Sequence, residues 1–81
     1  MNVFRRLSEV LREVFEVDDL AITRQLTAAD VSGWDSLTHV RLILEVEKVF
    51  GIRFATSEVA SLENVGELVD AIERKIVPGT V

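Results

Sequence analysis

The chain contains no cysteine and no tyrosine, and it has one tryptophan, one histidine, one proline and four glycines among 81 residues. Without cysteine there is no disulfide framework, no cysteine-ligated zinc and no thiol nucleophile, so any thiol chemistry must arrive on a cofactor. Positive charge is scarce: nine Lys and Arg stand against 14 Asp and Glu, a formal net charge of −5. That balance argues against sequence-independent binding to nucleic acid, which rests on neutralising phosphates. It favours a partner with a basic docking surface. No apolar run approaches the length needed to cross a bilayer. The opening "MNVFRRLSEVLREVFEV" breaks its apolar residues with charges every few positions and does not read as a signal peptide. A soluble cytoplasmic protein is the expectation. Eighty-one residues suit one domain with one modest core, here spanning about residues 2–76, with a frayed tail at 77–81.

What is present is periodic. Val3, Phe4, Leu7, Val10, Leu11, Val14 and Phe15 recur at spacings of three and four, which predicts an amphipathic helix capped by Asn2. Arg5, Arg6, Glu9, Arg12 and Glu13 fall on its wet side. Residues 17–34 keep no period and predict an ordered loop held by Leu20, Ile22, Leu26, Val31 and Trp34. A second helix is expected from Ser36 to Phe50, with Gly51 at the left-handed closing position. "IRF" reads as a short extended piece, and "TSEVASLE" as one short helical turn capped by Thr56 or Ser57. Asn64 followed by Glu67 has the form of a capping box that opens a last helix ending near Ile76. Val65, Leu68, Val69 and Ile72 form its apolar face. The fold class that follows is all-α: three main helices plus one short one, with a long ordered loop between the first two.

The second helix has more apolar surface than a core requires. At about 100° per residue, Leu42, Ile43, Val46, Val49 and Phe50 gather on one side. Leu37, Val40 and Leu44 form a separate stripe nearly opposite, rimmed by Arg41, Glu45, Glu47 and Lys48. Such a stripe belongs either to a helix gripped on both sides or to a partner-docking strip. It begins at Leu37, next to a serine.

That serine lies in "GWDSL", residues 33–37, and has three readings. The first is a plain helix cap, shared with Asp35. The second, a nucleophile supported by Asp35 and His39, lacks its equipment. Thr38 stands where a GxSxG elbow needs glycine, no open sheet is available, and a bundle this small leaves no room for a substrate pocket of usual size. His39 falls on the core side, where a hydrogen-bonded structural role is expected. The third is an attachment handle, since a helix N-terminus favours a phosphate through its free N–H groups and dipole. Asp35 could then help hold a metal ion brought in with a phosphate donor.

"GWDSLTHVRLILEVEKVFGIRF" resembles the modification-site helix of acyl carrier proteins, with their Asp-Ser-Leu motif. "ITRQLTAADVSGWDSL" is similar to the loop that leads into the family's site, and "SLENVGELVDAIERK" resembles its closing helix, so the resemblance covers nearly the whole chain. It implies that Ser36 carries 4′-phosphopantetheine, transferred from coenzyme A by a separate phosphopantetheinyl transferase. The arm's thiol would hold acyl groups as thioesters. Asp35 would assist magnesium during transfer and Leu37 would contact the transferase. The resemblance implies a monomeric carrier, not an enzyme, with neither catalytic residues nor a resident metal, served by acyl-loading, synthase and acyltransferase partners. Thr38, Arg41 and Lys48 depart from the strongly acidic second helix of fatty-acid-synthesis carriers, and Trp34 resembles stand-alone carriers of polyketide, lipopeptide or modified-lipid pathways. A discrete carrier for a specialised pathway is therefore the expectation. An aminoacyl or peptidyl carrier is the alternative within the family, and an unmodified helical adaptor using Leu37, Val40 and Leu44 the alternative outside it.

Overall fold

A computed structural model describes residues 2–16 and 20–76. Four helices are present, α1 (Val3–Phe15), α2 (Ser36–Phe50), α3 (Thr56–Ser61) and α4 (Val65–Ile76), and no strand occurs among the described residues. The all-helical reading holds, as do the bounds of the three long helices. The expected tail at 77–81 and the start of the loop at 17–19 lie outside the described residues.

Each long helix starts where a side chain takes up an otherwise orphaned N–H. Asn2 Oδ1 accepts from Arg5 N–H at 3.0 Å, and Asp35 Oδ1 accepts from Thr38 N–H at 2.9 Å. Asn64 Oδ1 accepts from Glu67 N–H at 2.8 Å. The box at α4 is displaced by one residue, because the Glu67 carboxylate takes the N–H of Glu63, not that of Asn64. α3 departs from expectation: Thr56 and Ser57 lie inside the helix and the cap position is Ala55, which has no side-chain acceptor. Glu58 compensates by accepting the Ala55 N–H at 2.7 Å. α2 closes on Gly51 at φ 68°, with Ile52 N–H donating back to the Glu47 carbonyl at 3.1 Å, a six-to-one closure that a Cβ would strain.

The core is built by Val3, Leu7, Val10 and Leu11 of α1, Leu42, Ile43 and Val46 of α2, and Val65, Leu68, Val69 and Ile72 of α4. The loop adds Leu26 and Val31 as buried plugs, while Leu20, Ile22 and Trp34 pack half-buried against the rest. It also makes a 3-10 turn at Ala28–Asp30, unforeseen in the sequence, in which Asp30 Oδ2 accepts from Thr27 N–H. Arg12 does not lie on the wet side. It is half-buried, its Nη2 donates to the Leu20 carbonyl at 3.4 Å, and its Nε is buried without a partner. The long aliphatic stem of arginine covers apolar surface there.

The loop is tied to the start of α4. Val65 N–H donates to the Leu26 carbonyl at 2.9 Å and Gly66 N–H to the Arg24 carbonyl at 2.8 Å. Arg24 Nη2 reaches both Asp70 oxygens, at 2.9 and 3.0 Å. A Cβ on Gly66 would come within 3.0 Å of the Arg24 carbonyl oxygen, so close approach of two backbones is what glycine permits there. This clasp ties the middle of the loop to the start of α4. α3 contributes no fully buried residue. It is held by Lys75, whose Nζ meets Glu58 at 2.9 Å and lies 5.2 Å from the Phe54 ring centroid.

Candidate functional site

Residues 33–39 form the junction between loop and helix. Gly33 takes φ 91°, a value glycine adopts without penalty, and turns the chain so that Asp35 arrives extended at the cap of α2. The Thr38 hydroxyl sits 2.7 Å from the Gly33 carbonyl oxygen and 2.9 Å from Asp35 Oδ1, so its one proton is shared between them. The Thr38 N–H and hydroxyl together hold the Asp35 carboxyl below the ordinary aspartate range. Both contacts use Oδ1, and Oδ2 accepts no hydrogen bond among the described residues.

Capping therefore belongs to Asp35 and not to Ser36. Ser36 is exposed in the first helical position, and among the described residues its hydroxyl makes no hydrogen bond. The other serines that the structure describes differ. Ser8 is buried and donates to the Phe4 carbonyl at 2.8 Å, and Ser61 donates to the Glu58 carbonyl at 2.9 Å. Ser32 and Ser57 are exposed but lack an aspartate before and a leucine after.

A cavity of about 520 Å³ opens beside Ser36, between the start of α2 and α3. Its volume falls within the usual range for small-molecule sites, so the expectation that a bundle this small has no room for one is corrected. α3 contributes Val59 and Ala60 to the cavity wall, and α2 with the two residues before it contributes Trp34, Asp35, Ser36 and His39. Trp34 Nε1 donates to His39 Nδ1 at 3.1 Å, the hydrogen-bonded role expected of this histidine. Phe15 backs Trp34 with ring centroids 5.1 Å apart.

On the opposite face of α2, Leu37, Val40 and Leu44 are 74%, 53% and 59% exposed. The helix is thus not gripped on both sides. Arg41 and Lys48 are exposed on the same face, and neither forms an ion pair among the described residues. Glu45 is half-buried at the edge. Glu47 is engaged elsewhere: its Oε2 accepts from Phe54 N–H at 2.8 Å and braces the extended segment after α2. Sequence reasoning missed both this brace and the Arg24 clasp, since neither partner lies at a helical spacing.

The sequence model of the phosphopantetheine attachment site family matches residues 5–72. The chain is similar to the acyl carrier protein of Coprothermobacter proteolyticus, 31% identical over 75 residues that cover 93% of this chain and 92% of that one. It is also 28% identical over 75 residues to the acyl carrier protein of Thermotoga maritima, covering 93% of each. Among solved structures, the holo acyl carrier protein from Geobacter metallireducens superposes with a TM-score of 0.88 at 38% identity, over 94% of this chain and 87% of that one. The class is that of small helical carrier domains with a phosphopantetheine attachment site. Within it, the chain belongs to the acyl carrier protein family. It is a carrier and not an enzyme, and its cofactor is covalently attached 4′-phosphopantetheine. Family membership sets aside the unmodified adaptor. It also means that partner enzymes must visit the chain, and no helix of the described residues is long and apolar enough to cross a membrane.

Proposed function

We propose that Ser36 is the attachment residue, and that the chain is a discrete carrier presenting acyl thioesters to the enzymes of a specialised lipid, polyketide or lipopeptide pathway. The observation that carries the first part is the division of labour at the helix mouth. Asp35 caps α2, which leaves the exposed Ser36 hydroxyl with no structural duty. In the transfer, the Ser36 oxygen forms a bond to the β-phosphorus of coenzyme A as the pyrophosphate bond breaks and 3′,5′-ADP leaves. The helix N-terminus then lies beside the new phosphodiester anion. Asp35 Oδ2, free of hydrogen bonds, is the oxygen with which this chain would meet the divalent cation that accompanies coenzyme A. The arm's terminal thiol supplies the thioester chemistry that a chain without cysteine lacks.

The docking set that we assign is Leu37, Val40 and Leu44, edged by Arg41, Glu45 and Lys48. Leu37 adjoins the attachment serine and suits contact with the phosphopantetheinyl transferase. Two unpaired cations on an apolar strip support a dedicated set of loading, synthase and acyltransferase partners, with acidic or neutral groups opposite Arg41 and Lys48. A monomer in the cytoplasm fits a small acidic carrier that must meet several enzymes in turn.

Intact mass after incubation with coenzyme A and a broad-specificity transferase tests the attachment. Wild type is expected to gain one phosphopantetheinyl group and Ser36→Ala none. The variant should remain folded, because Asp35 and not Ser36 caps the helix. Modification of Ser36→Ala would refute the assignment.

A further inference from the structure

We propose that His39 selects the cargo. Its Nε2–H hydrogen-bonds an oxygen near the thioester end of the acyl chain, so the cavity beside Ser36 prefers a 3-oxo or 3-hydroxy acyl group to a saturated chain of equal length. The proposal rests on Ser36 carrying the arm. His39 follows Ser36 by three residues, which puts both on one side of α2, and His39 and Ser36 line the same cavity.

The imidazole is held as a directed donor. An indole N–H can only donate, so the 3.1 Å bond from Trp34 Nε1 makes His39 Nδ1 the acceptor and leaves the ring proton on Nε2. The two rings lie nearly coplanar, with planes at 24° and centroids 6.1 Å apart, as an edge-to-edge hydrogen bond requires, and Phe15 packs against Trp34. Among the described residues no group accepts from Nε2, and the only buried side-chain nitrogen or oxygen without a partner is Arg12 Nε. Nε2 is therefore an open donor on a fixed ring.

The apolar part of the lining comes from Ala28, Val59, Leu62 and Leu68, beside polar Thr56, Glu63 and Asn64. Hydrocarbon suits that part. With the arm folded back, a cargo that enters tail first leaves its thioester end outermost, on the side of the cavity that Ser36 and His39 line together. A methylene set against Nε2 excludes water from a donor and gives nothing back, whereas a carbonyl or hydroxyl oxygen satisfies it. The expected discrimination is about tenfold in the ratio of inserted to free cargo.

The test loads Ser36 with the bare arm, hexanoyl-arm or 3-oxohexanoyl-arm, the last two amide-linked and transferred from the matching coenzyme A analogues. Intact mass verifies loading. Long-range proton–nitrogen spectra of the lone imidazole and the fluorescence of the lone tryptophan then report on the cavity wall. The 3-oxohexanoyl form is expected to shift Nε2 and change Trp34 emission well beyond the other two. His39→Phe should load fully and lose the discrimination, while His39→Gln, which keeps a donor, should retain part of it. An equal Nε2 shift in all three wild-type forms would mean that the arm's own carbonyls suffice, and would overturn cargo selection. So would discrimination that survives in His39→Phe. Absence of any mass gain in wild type would instead overturn the Ser36 assignment on which the proposal stands.

Discussion

Asp35 and Ser36 are neighbours with different bonding: Asp35 accepts twice from Thr38, whereas the Ser36 hydroxyl makes no hydrogen bond among the described residues. Asp35 closes the end of α2 and is held ionised, first by the Thr38 N–H and then by the Thr38 hydroxyl. Its carboxyl titrates lower in the folded chain than in the unfolded one, so the unfolded state binds more protons in acid. The stabilisation is complete above the ordinary aspartate range and is lost as pH falls through the depressed folded value. Glu58 behaves in the same way, through the Ala55 N–H first and Lys75 second. The contribution of these two groups should therefore be full at neutral pH and be lost as pH falls below about 4, the ordinary carboxylate range. Asp35→Asn, which keeps a capping oxygen, should leave stability at pH 7 little changed and soften the acid slope. Urea melts across pH 2.5–7 check both statements, and an unchanged slope in Asp35→Asn would remove the cap from the account of acid unfolding.

At the scale of elements, α2 carries two faces with different costs. Leu42 and Ile43 lie in the core, where truncation to alanine costs about 2–5 kcal/mol. Val40 and Leu44 are exposed, so Val40→Ala and Leu44→Ala should each cost under about 0.5 kcal/mol while slowing acyl transfer by a partner enzyme. Thermal melts decide: a loss in either variant matching that of Ile43→Ala would return the strip to the core. The loop clasp makes a further prediction. Gly66→Ala pushes a methyl toward the Arg24 carbonyl oxygen and should destabilise by about 1–3 kcal/mol, despite the better helix propensity of alanine. A neutral or stabilising effect would show that the loop gives way.

Elements whose cause is local were legible in the sequence. Apolar spacing set the long helices, Asn2 and Asn64 set two of their starts, and Gly51 set a stop. Ser36 stood out because Asp-Ser-Leu fell at a helix mouth. What escaped was non-local. Arg12 reads as a wet-face residue until the Leu20 carbonyl is placed over it, and Glu47 as a rim charge until Phe54 folds back onto it. The cap of α3 was misplaced because Glu58 can serve a helix start without any help from residue 55 itself. The cavity depends on how far α3 stands from α2, which no period encodes.

For the whole molecule the question is how an acidic chain of net charge −5 presents its docking face. Its carboxylates draw basic partners over distances of about a Debye length, close to 8–10 Å at ordinary salt. At contact the local pattern counts for more than the sum. In the proposed docking set Arg41 and Lys48 lie beside Leu37 and Leu44, and Arg41 forms no ion pair with Glu45 one turn on, so Arg41 would reach a partner unneutralised. A basic enzyme groove opposite Arg41 faces like charge, which can cost several kcal/mol, whereas an acidic or neutral one does not. The chain would then be attracted from afar by general acyl-processing enzymes and rejected on docking. The phosphopantetheinylated wild type and Arg41→Glu, offered to a housekeeping fatty acid loading enzyme, separate the two contributions. Arg41→Glu is expected to load about tenfold faster at low salt, with the advantage shrinking as salt rises. The melting temperature should stay within a degree or two, since the side chain is exposed and unpaired. Equal loading of the two forms at every salt concentration would show that Arg41 plays no part in partner choice.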